Sequence, residues 1–334
     1  IEQFHGNDAF FAGGGDFAFA LNGSEGRSDV CFAAVAPGCP GETVTGILPS
    51  IRHFGTEPRV YEDYREMLRQ EKPDLAVIDT YYGYHAACAQ AALEAGCHVF
   101  IEKPIATTLP QLEALHEAYE KAGTELTAMF NYRYTGSFYR AWQLIQEGAI
   151  GEVRLLNAQK SYKMGTRPAF THDRVTYGGT IPWVGSHAID WVRWMSGQQF
   201  VSVNAVQSRM HNGGFGTLET DALVQFQLTN EVVASVSIDY CNPVTAPIHG
   251  DDRIRVVGTD GVLEVKGNTL TLINGAAEGI QNLEVPPTLE MFPDFLAQIY
   301  GTGRCRISAE DAFCSTEASI RAQMAADSGE KILF

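Results

Sequence analysis

Long apolar runs are missing from this 334-residue sequence. None approaches the roughly 20 residues that span a bilayer, so no membrane-spanning helix is expected. No basic-apolar-small leader opens the chain, and from this we expect a cytoplasmic protein. Basic residues are scarce: 24 Lys and Arg stand against 40 Asp and Glu, a formal charge of −16. With the acids spread along the chain, the surface repels nucleic acid and anionic membrane, which leaves a small polar molecule as the expected partner. Cysteine is sparse too. The seven cysteines are odd in number, scattered and never in C-x-x-C spacing, so we read reduced thiols filling cores rather than a disulfide framework. There is no internal repeat and no low-complexity tract. What remains is a chain with 45% hydrophobic residues, too long for a typical single core and suited to two.

Up to about residue 128, short apolar runs alternate with helical patterns. Ala9–Ala12, Val30–Val35, Leu75–Ile78, Val99–Ile101 and Leu126–Phe130 read as strands. Tyr61–Gln70, His85–Ala95 and Leu109–Ala122 carry apolar residues at helical spacing, with Gly96 and Gly123 as stops for the latter two. This alternation predicts an α/β domain with a doubly wound parallel sheet over 1–128. After a linking helix at 136–147 the texture changes to long strands of period two. The runs 152–162, 200–209, 220–228, 232–240, 253–257 and 261–265 predict a large, mostly antiparallel open sheet in a second, α+β domain over 129–334. Helices are expected near 189–195, 291–299 and 309–326. Strands such as Val232–Ile238 carry small and apolar residues on both faces, so a homodimer or homotetramer through that sheet is expected.

Two stretches carry chemistry. Cys97–Ile101 reads as a buried parallel strand running into Glu102-Lys103-Pro104, which places an ammonium at a carboxyl-end sheet edge, where ligands of open α/β sheets sit. Ala9–Ala12 runs into Gly13-Gly14-Gly15-Asp16-Phe17-Ala18, a G-x-G-x-x-A match between a strand and an expected helix start. Glycines there let a pyrophosphate approach the backbone. The end of the second strand, Val35-Ala36-Pro37-Gly38, has neither an acid for the ribose hydroxyls nor a serine-arginine pair for a 2′-phosphate. NAD is therefore the expected cofactor, with NADP still open.

The motifs Asp74–Thr80, Tyr81-Tyr82-Gly83-Tyr84-His85, Ala91–Pro104, Phe130–Tyr134, Gly148–Val153, Gly178–Gly179 to Gly185–Asp190 and Gly258–Gly261 stand in an order that resembles the glucose-fructose oxidoreductase/inositol dehydrogenase family. The resemblance implies a Rossmann domain, a C-terminal domain with an open sheet, a bound NAD or NADP, and oligomers built through that sheet. By motif position it implies Gly13, Gly15, Asp16, Phe17 and Pro37 around the dinucleotide, Thr80, Tyr81, His85 and Glu102 on the nicotinamide side, and Lys103 reaching both nicotinamide and substrate.

His187 matches the family's catalytic histidine. Oxidising a carbinol requires loss of the hydroxyl proton as hydride leaves carbon, a task suited to an imidazole with a cation such as Lys103 beside the oxygen. Asp190, three residues on, lies on the same helical face and is expected to orient the ring or bind substrate hydroxyls. The pair lacks a third ligand at metal spacing, so no metal is expected. Trp183 stands where many members have Asp and is expected to stack on a sugar ring. Arg133, Tyr162, Lys163 and Arg167 complete the expected substrate contacts. Lys160 belongs to the same basic-aromatic stretch, and His249, Asp251, Asp252 and Arg253 form a second cluster; a solvated face accounts for either equally well. The resulting expectation is an NAD(P)-dependent oxidoreductase acting on a ring hydroxyl or carbonyl of a sugar, cyclitol or derivative. The alternative is redox-assisted glycoside hydrolysis or elimination. A non-catalytic sensor is disfavoured by the presence of Lys103 and His187.

Overall fold

The computed structural model describes the backbone of residues 17–22 and 29–34 and the chain from 59 to 334. Gly13, Gly15, Asp16, Pro37 and the expected strand Ala9–Ala12 lie outside the described residues. The chain divides into two compact units, Ile1–Met129 with Phe292–Ala309, and Phe130–Met291 with Glu310–Phe334.

The first unit runs β1 (Phe17–Asn22), β2 (Asp29–Ala34), β3 (Arg59–Tyr61), α1 (Tyr64–Glu71), β4 (Leu75–Asp79), α2 (His85–Glu94), β5 (His98–Ile101), α3 (Leu109–Ala122) and β6 (Leu126–Ala128). Its sheet has the order β3-β2-β1-β4-β5-β6. β4, β5 and β6 run parallel, as do β2 and β3, which makes this a Rossmann-type α/β sheet. Leu75, Ala76, Val77 and Ile78 are all buried, the continuous apolar run of a strand covered on both faces. Thr108 caps α3 by accepting from the Gln111 amide, and Gly123, at φ 67°, ends it in the left-handed conformation that glycine adopts without strain.

One expectation is corrected here. Phe17 does not open a helix: Phe17–Asn22 is a strand, antiparallel to both β2 and β4. Phe17-Ala18-Phe19-Ala20-Leu21 alternates large and small side chains with period two, and this strand pattern prevails over the glycine-turn match before it. Phe17 is therefore not at a helix N-terminus that could receive a pyrophosphate.

The second unit contains α4 (Gly136–Gln146), β7 (Val153–Ser161), α5 (Arg174–Tyr177), α6 (Ser186–Ser196), β8 (Phe200–Ser208), β9 (Asp221–Leu228), β10 (Val233–Asp239), β11 (Arg253–Gly258), β12 (Gly261–Lys266), β13 (Thr269–Asn274) and β14 (Gln281–Asn282). After α7 (Met291–Ile299), α8 (Ala309–Ser328) and β15 (Ile332–Leu333) complete the chain. Residues 292–309 return to the first unit, where Phe292 and Phe295 pack on Phe100 of β5 with ring centroids 5.2 and 5.7 Å apart.

The nine-stranded sheet has the order β14-β13-β12-β11-β7-β10-β9-β8-β15 and is antiparallel except for the parallel pair β7–β10. Period-two alternation sorts its faces. Leu156 and Ala158 of β7, Val236 and Ile238 of β10, and Ile254 and Val256 of β11 are buried, whereas Val206, Leu223 and Val233 stay exposed on the other side of their strands. α6 packs against β7, β10 and β11. Among the described residues, no helix is long and apolar enough to cross a membrane, and Cys88, Cys97, Cys241 and Cys314 are free thiols.

Candidate active site

In the first unit, the carboxyl ends of β4 and β5 bring Thr80, His85, Glu102 and Lys103 together. The Glu102 amide donates to the Ile78 carbonyl, 2.9 Å, which ties the two strand ends. His85 sits below them with no exposed surface. Its Nδ1 lies 2.8 Å from the Pro104 carbonyl oxygen and its Nε2 2.9 Å from that of Thr80. Burial drives its pKa down to about 4 even though these carbonyls favour the proton; the neutral ring has a single N–H, so with Nδ1 donating to the Pro104 carbonyl, Nε2 is left to accept from the Thr80 amide at 3.4 Å, and the ring braces β4 against the Lys103–Pro104 turn, a cis peptide. Glu102 accepts from the Lys103 amide, 2.9 Å, and burial raises its pKa. Lys103 is itself buried, 1% exposed. Tyr81 is half-buried, its ring 6.5 Å from that of Tyr84. Among the described residues, the buried Thr80 hydroxyl has no hydrogen-bond partner, an orphan of the kind a bound ligand satisfies at the carboxyl edge of a parallel sheet. This edge fits the nicotinamide half of a dinucleotide.

The second unit builds a denser constellation. Gly185 ends a single π-helical turn (Ile181–Gly185); a Cβ there would come within 2.3 Å of Ile238 Cδ1 on β10, so glycine lets α6 begin flush against the sheet. This seats His187 in the first turn of α6, buried, with its ring edge-on to Phe130 (6.1 Å) and Tyr132 (5.0 Å). Tyr132 also meets Trp191 at 4.9 Å and Phe138 at 5.1 Å.

Lys160 occupies an inward register of β7, in line with Leu156 and Ala158, and is fully buried. Its ammonium donates to the Asp252 carboxylate, 2.8 Å, and to the Tyr132 hydroxyl, which in turn donates to the other Asp252 oxygen. It also lies over the Tyr132 and Tyr162 rings at 4.3 and 4.4 Å. Burial lowers the Lys160 pKa to about 8 against the pull of Asp252. Burial likewise raises that of Tyr132.

Two expected roles are corrected. Asp190 does not orient His187. Its two oxygens accept from Arg133 Nε and NH2 at 3.0 and 2.7 Å, and from the Ser315 hydroxyl at 2.9 Å. Arg133, 3% exposed, is engaged by Asp190 and by Asp311 at 3.0 Å and so is not placed to hold a substrate. A bidentate guanidinium outcompetes an imidazole for a buried carboxylate because it carries a permanent charge and two parallel donors.

Lys163 spends its ammonium on the Val244 and Ala246 carbonyls, at 3.0 and 2.5 Å. Arg167 lies 4.2 Å over the Tyr240 ring, and Trp183, half-buried in the π turn, shares a hydrogen bond with the Tyr240 side chain. The Tyr162 ring meets that of His249 at 4.7 Å, tilted by 32°. Nothing local in the sequence gives Tyr132 a role of its own, and Lys160 and Asp252 fall in two clusters that no sequence pattern connects. The available signal is a lysine at an inward position of an otherwise apolar strand face. Among the described residues, no group of three His, Cys, Asp or Glu is placed to hold a metal ion.

These features define the class: a Rossmann-type nucleotide-binding unit joined to an open-sheet unit. An oxidoreductase-family model for the NAD-binding Rossmann fold matches residues 45–130, and the GFO/IDH/MocA C-terminal domain model matches 138–264. The chain belongs to the GFO/IDH/MocA oxidoreductase family. It is 45% identical to a solved Thermotoga maritima protein of oxidoreductase type, with TM-score 0.86 over 90% of this chain and 91% of that one. It is 31% identical over 182 residues to levoglucosan dehydrogenase of Pseudarthrobacter phenanthrenivorans, covering 51% of this chain and 46% of the relative. With inositol 2-dehydrogenase of Salmonella typhimurium it shares 25% identity over 226 residues, 67% of this chain and 64% of the relative. The chain thus spans less than two thirds of the length of these two curated relatives.

Proposed function

We propose that this protein is an NAD-dependent dehydrogenase that oxidises a secondary ring hydroxyl of a sugar, cyclitol or related polyol, or reduces the corresponding ketone. NAD, when bound, supplies the hydride acceptor. The observation that carries the reading is the placement of His187: a buried imidazole in the first turn of α6, walled by Phe130 and Tyr132 and backed by the Lys160–Asp252 pair. Family membership and two relatives named as dehydrogenases of a sugar derivative and a cyclitol support it.

In this reading His187 removes the hydroxyl proton as the carbon is oxidised and returns it in reduction. Lys103 contributes a cation to the developing alkoxide. Thr80 and Glu102 hold the nicotinamide side, with His85 as their brace. Tyr132 fixes the plane of the His187 ring, and Trp183 offers a wall to the sugar face. The first unit serves the nucleotide and the second the substrate. The exposed apolar positions Val206, Leu223 and Val233 on the open sheet serve self-assembly into a dimer or tetramer. The working compartment is the cytoplasm, where free thiols persist.

The test is to identify nucleotide released from the purified protein on denaturation, then to follow nicotinamide absorbance with a panel of sugars, inositols and sugar acids. Reduction of NAD by a polyol, lost in His187→Ala, is the expected result. A protein that binds no NAD, or that turns over equally well without His187, would overturn the reading.

A further inference from the structure

The second unit contains a patch of positive charge at odds with the acidic chain. From Lys160 to Arg167 there are three cations and no acid, in a protein of formal charge −16. Of the three, Lys160 is neutralised by Asp252 at 2.8 Å. Lys163 and Arg167 have no carboxylate partner among the described residues. The Lys163 ammonium faces two backbone carbonyls. The Arg167 guanidinium donates through NH2 to the Lys163 carbonyl at 2.5 Å and lies 4.2 Å over the Tyr240 ring, while its Nε is buried and, among the described residues, has no hydrogen-bond partner.

A half-buried cation without a counter-ion is costly, and one whose inner donor is also left unpaired is a site prepared for an acceptor. The surroundings suit a sugar. Tyr240 under Arg167 is bonded to Tyr177, 2.7 Å, and to Trp183; the Tyr162 ring meets that of His249 at a tilt of 32°, and the His249 residue is exposed to solvent. His249 feels the positive charges of Arg167, Lys160 and Lys163, opposed by Asp252, and its pKa is lowered by burial first and by these cations second. A guanidinium with no carboxylate on it among the described residues has the planar donor geometry that matches the two oxygens of a carboxylate. A phosphate is more commonly cradled by several backbone amides, as at a glycine-rich loop opening a helix.

We propose that the polyol bound here carries a carboxylate, that is, a sugar acid such as an aldonate or uronate, with the anion held by Arg167 and assisted by the field of Lys163. The proposal deepens the dehydrogenase reading by naming its substrate class, and it makes Arg167 a specificity-determining residue.

The experiment is calorimetric titration of the full chain, with and without NAD, using glucuronate, gluconate, glucose, myo-inositol and glucose 6-phosphate, alongside steady-state oxidation of the same compounds. A sugar acid is expected to bind on the order of 10²-fold more tightly than the neutral polyols, with affinity falling as salt rises. Arg167→Met is expected to erase that difference by raising KM for the acid on the order of 10²-fold while kcat and thermal stability hold, and Arg167→Lys to restore part of it. Neutral polyols binding as tightly as acids, a preference for glucose 6-phosphate, or an acid preference that survives in Arg167→Met would each overturn the proposal. Oxidation of a neutral sugar with acids ignored would remove the anion site and leave the dehydrogenase reading. Acids bound through Arg167 with no oxidation of any compound would do the reverse.

Discussion

Lys160 holds Asp252 at 2.8 Å from a fully buried position on β7, and both share the hydroxyl of Tyr132. The two are 92 residues apart, so the pair ties β7 to the start of β11 and to the turn that precedes α4. Its effect on the site runs through Tyr132. With the hydroxyl pinned at one end and Phe138 and Trp191 against the ring, Tyr132 has little freedom, and the adjacent His187 ring has a fixed wall.

The first prediction concerns pH. Lys160 has a pKa of about 8 in the folded chain, below its ordinary 10.5, because burial disfavours the charge. Between those values the unfolded chain binds the proton and the folded one does not, so this group makes stability rise with pH from about 8 to 10.5. Cys88 and Cys97 act in the opposite sense, since burial lifts their pKa to about 12 and their contribution is lost as pH rises above about 9. The Lys160 effect is therefore read as a difference: in urea unfolding from pH 7 to 10.5, wild type should gain relative to Lys160→Met as pH rises. Parallel curves would mean that Lys160 titrates normally.

The second prediction separates a structural aspartate from a catalytic one. Asp190→Ala leaves Arg133 buried with one counter-ion instead of two, and should cost roughly 3–5 kcal/mol, toward the lower figure because Asp311 stays at 3.0 Å. Chemical denaturation measures this. An Asp190→Ala protein as stable as wild type but slow in turnover would return the residue to the catalytic group.

For His187→Ala the expectation is the reverse: a fall in kcat of roughly 10² to 10⁴-fold. NAD binding should be retained, because the histidine belongs to the second unit. Stopped-flow nicotinamide absorbance and NAD titration read the two effects separately. Weakened NAD binding with unchanged kcat would remove His187 from proton transfer.

How much of this is visible in the sequence depends on the range of the interaction. The strands β4 and β5, the glycine stops and the period-two runs of the second unit rest on local periodicity and local φ preference, and they are legible. Phe17 shows the limit of a short motif: G-x-G-x-x-A competes with the alternation of Phe17–Leu21, and the latter governs the strand. Asp190 shows the limit of helical spacing. Three residues from His187 on one face is a correct placement, yet Arg133, 57 residues earlier, takes the carboxylate. Lys160 is half legible, since the register of Leu156 and Ala158 turns it inward, but no local pattern names Tyr132 or Asp252 as its partners.

The last prediction tests the nucleotide side through the Thr80 hydroxyl, buried and without a partner at the end of β4. An unsatisfied buried hydroxyl contributes nothing to the stability of the protein without nucleotide, so replacement by the isosteric valine should leave the melting temperature unchanged or slightly raised. If that hydroxyl is kept for the nicotinamide half of NAD, the same change removes one hydrogen bond from the complex and weakens NAD binding by roughly 2- to 12-fold. Thermal melts with and without NAD, together with a direct NAD titration, give both numbers. A smaller stabilisation of Thr80→Val by NAD at equal melting temperature without it is the expected pattern. Unchanged NAD affinity would mean that the dinucleotide does not reach this strand end, and the assignment of Thr80 and Glu102 to the cofactor would fall with it.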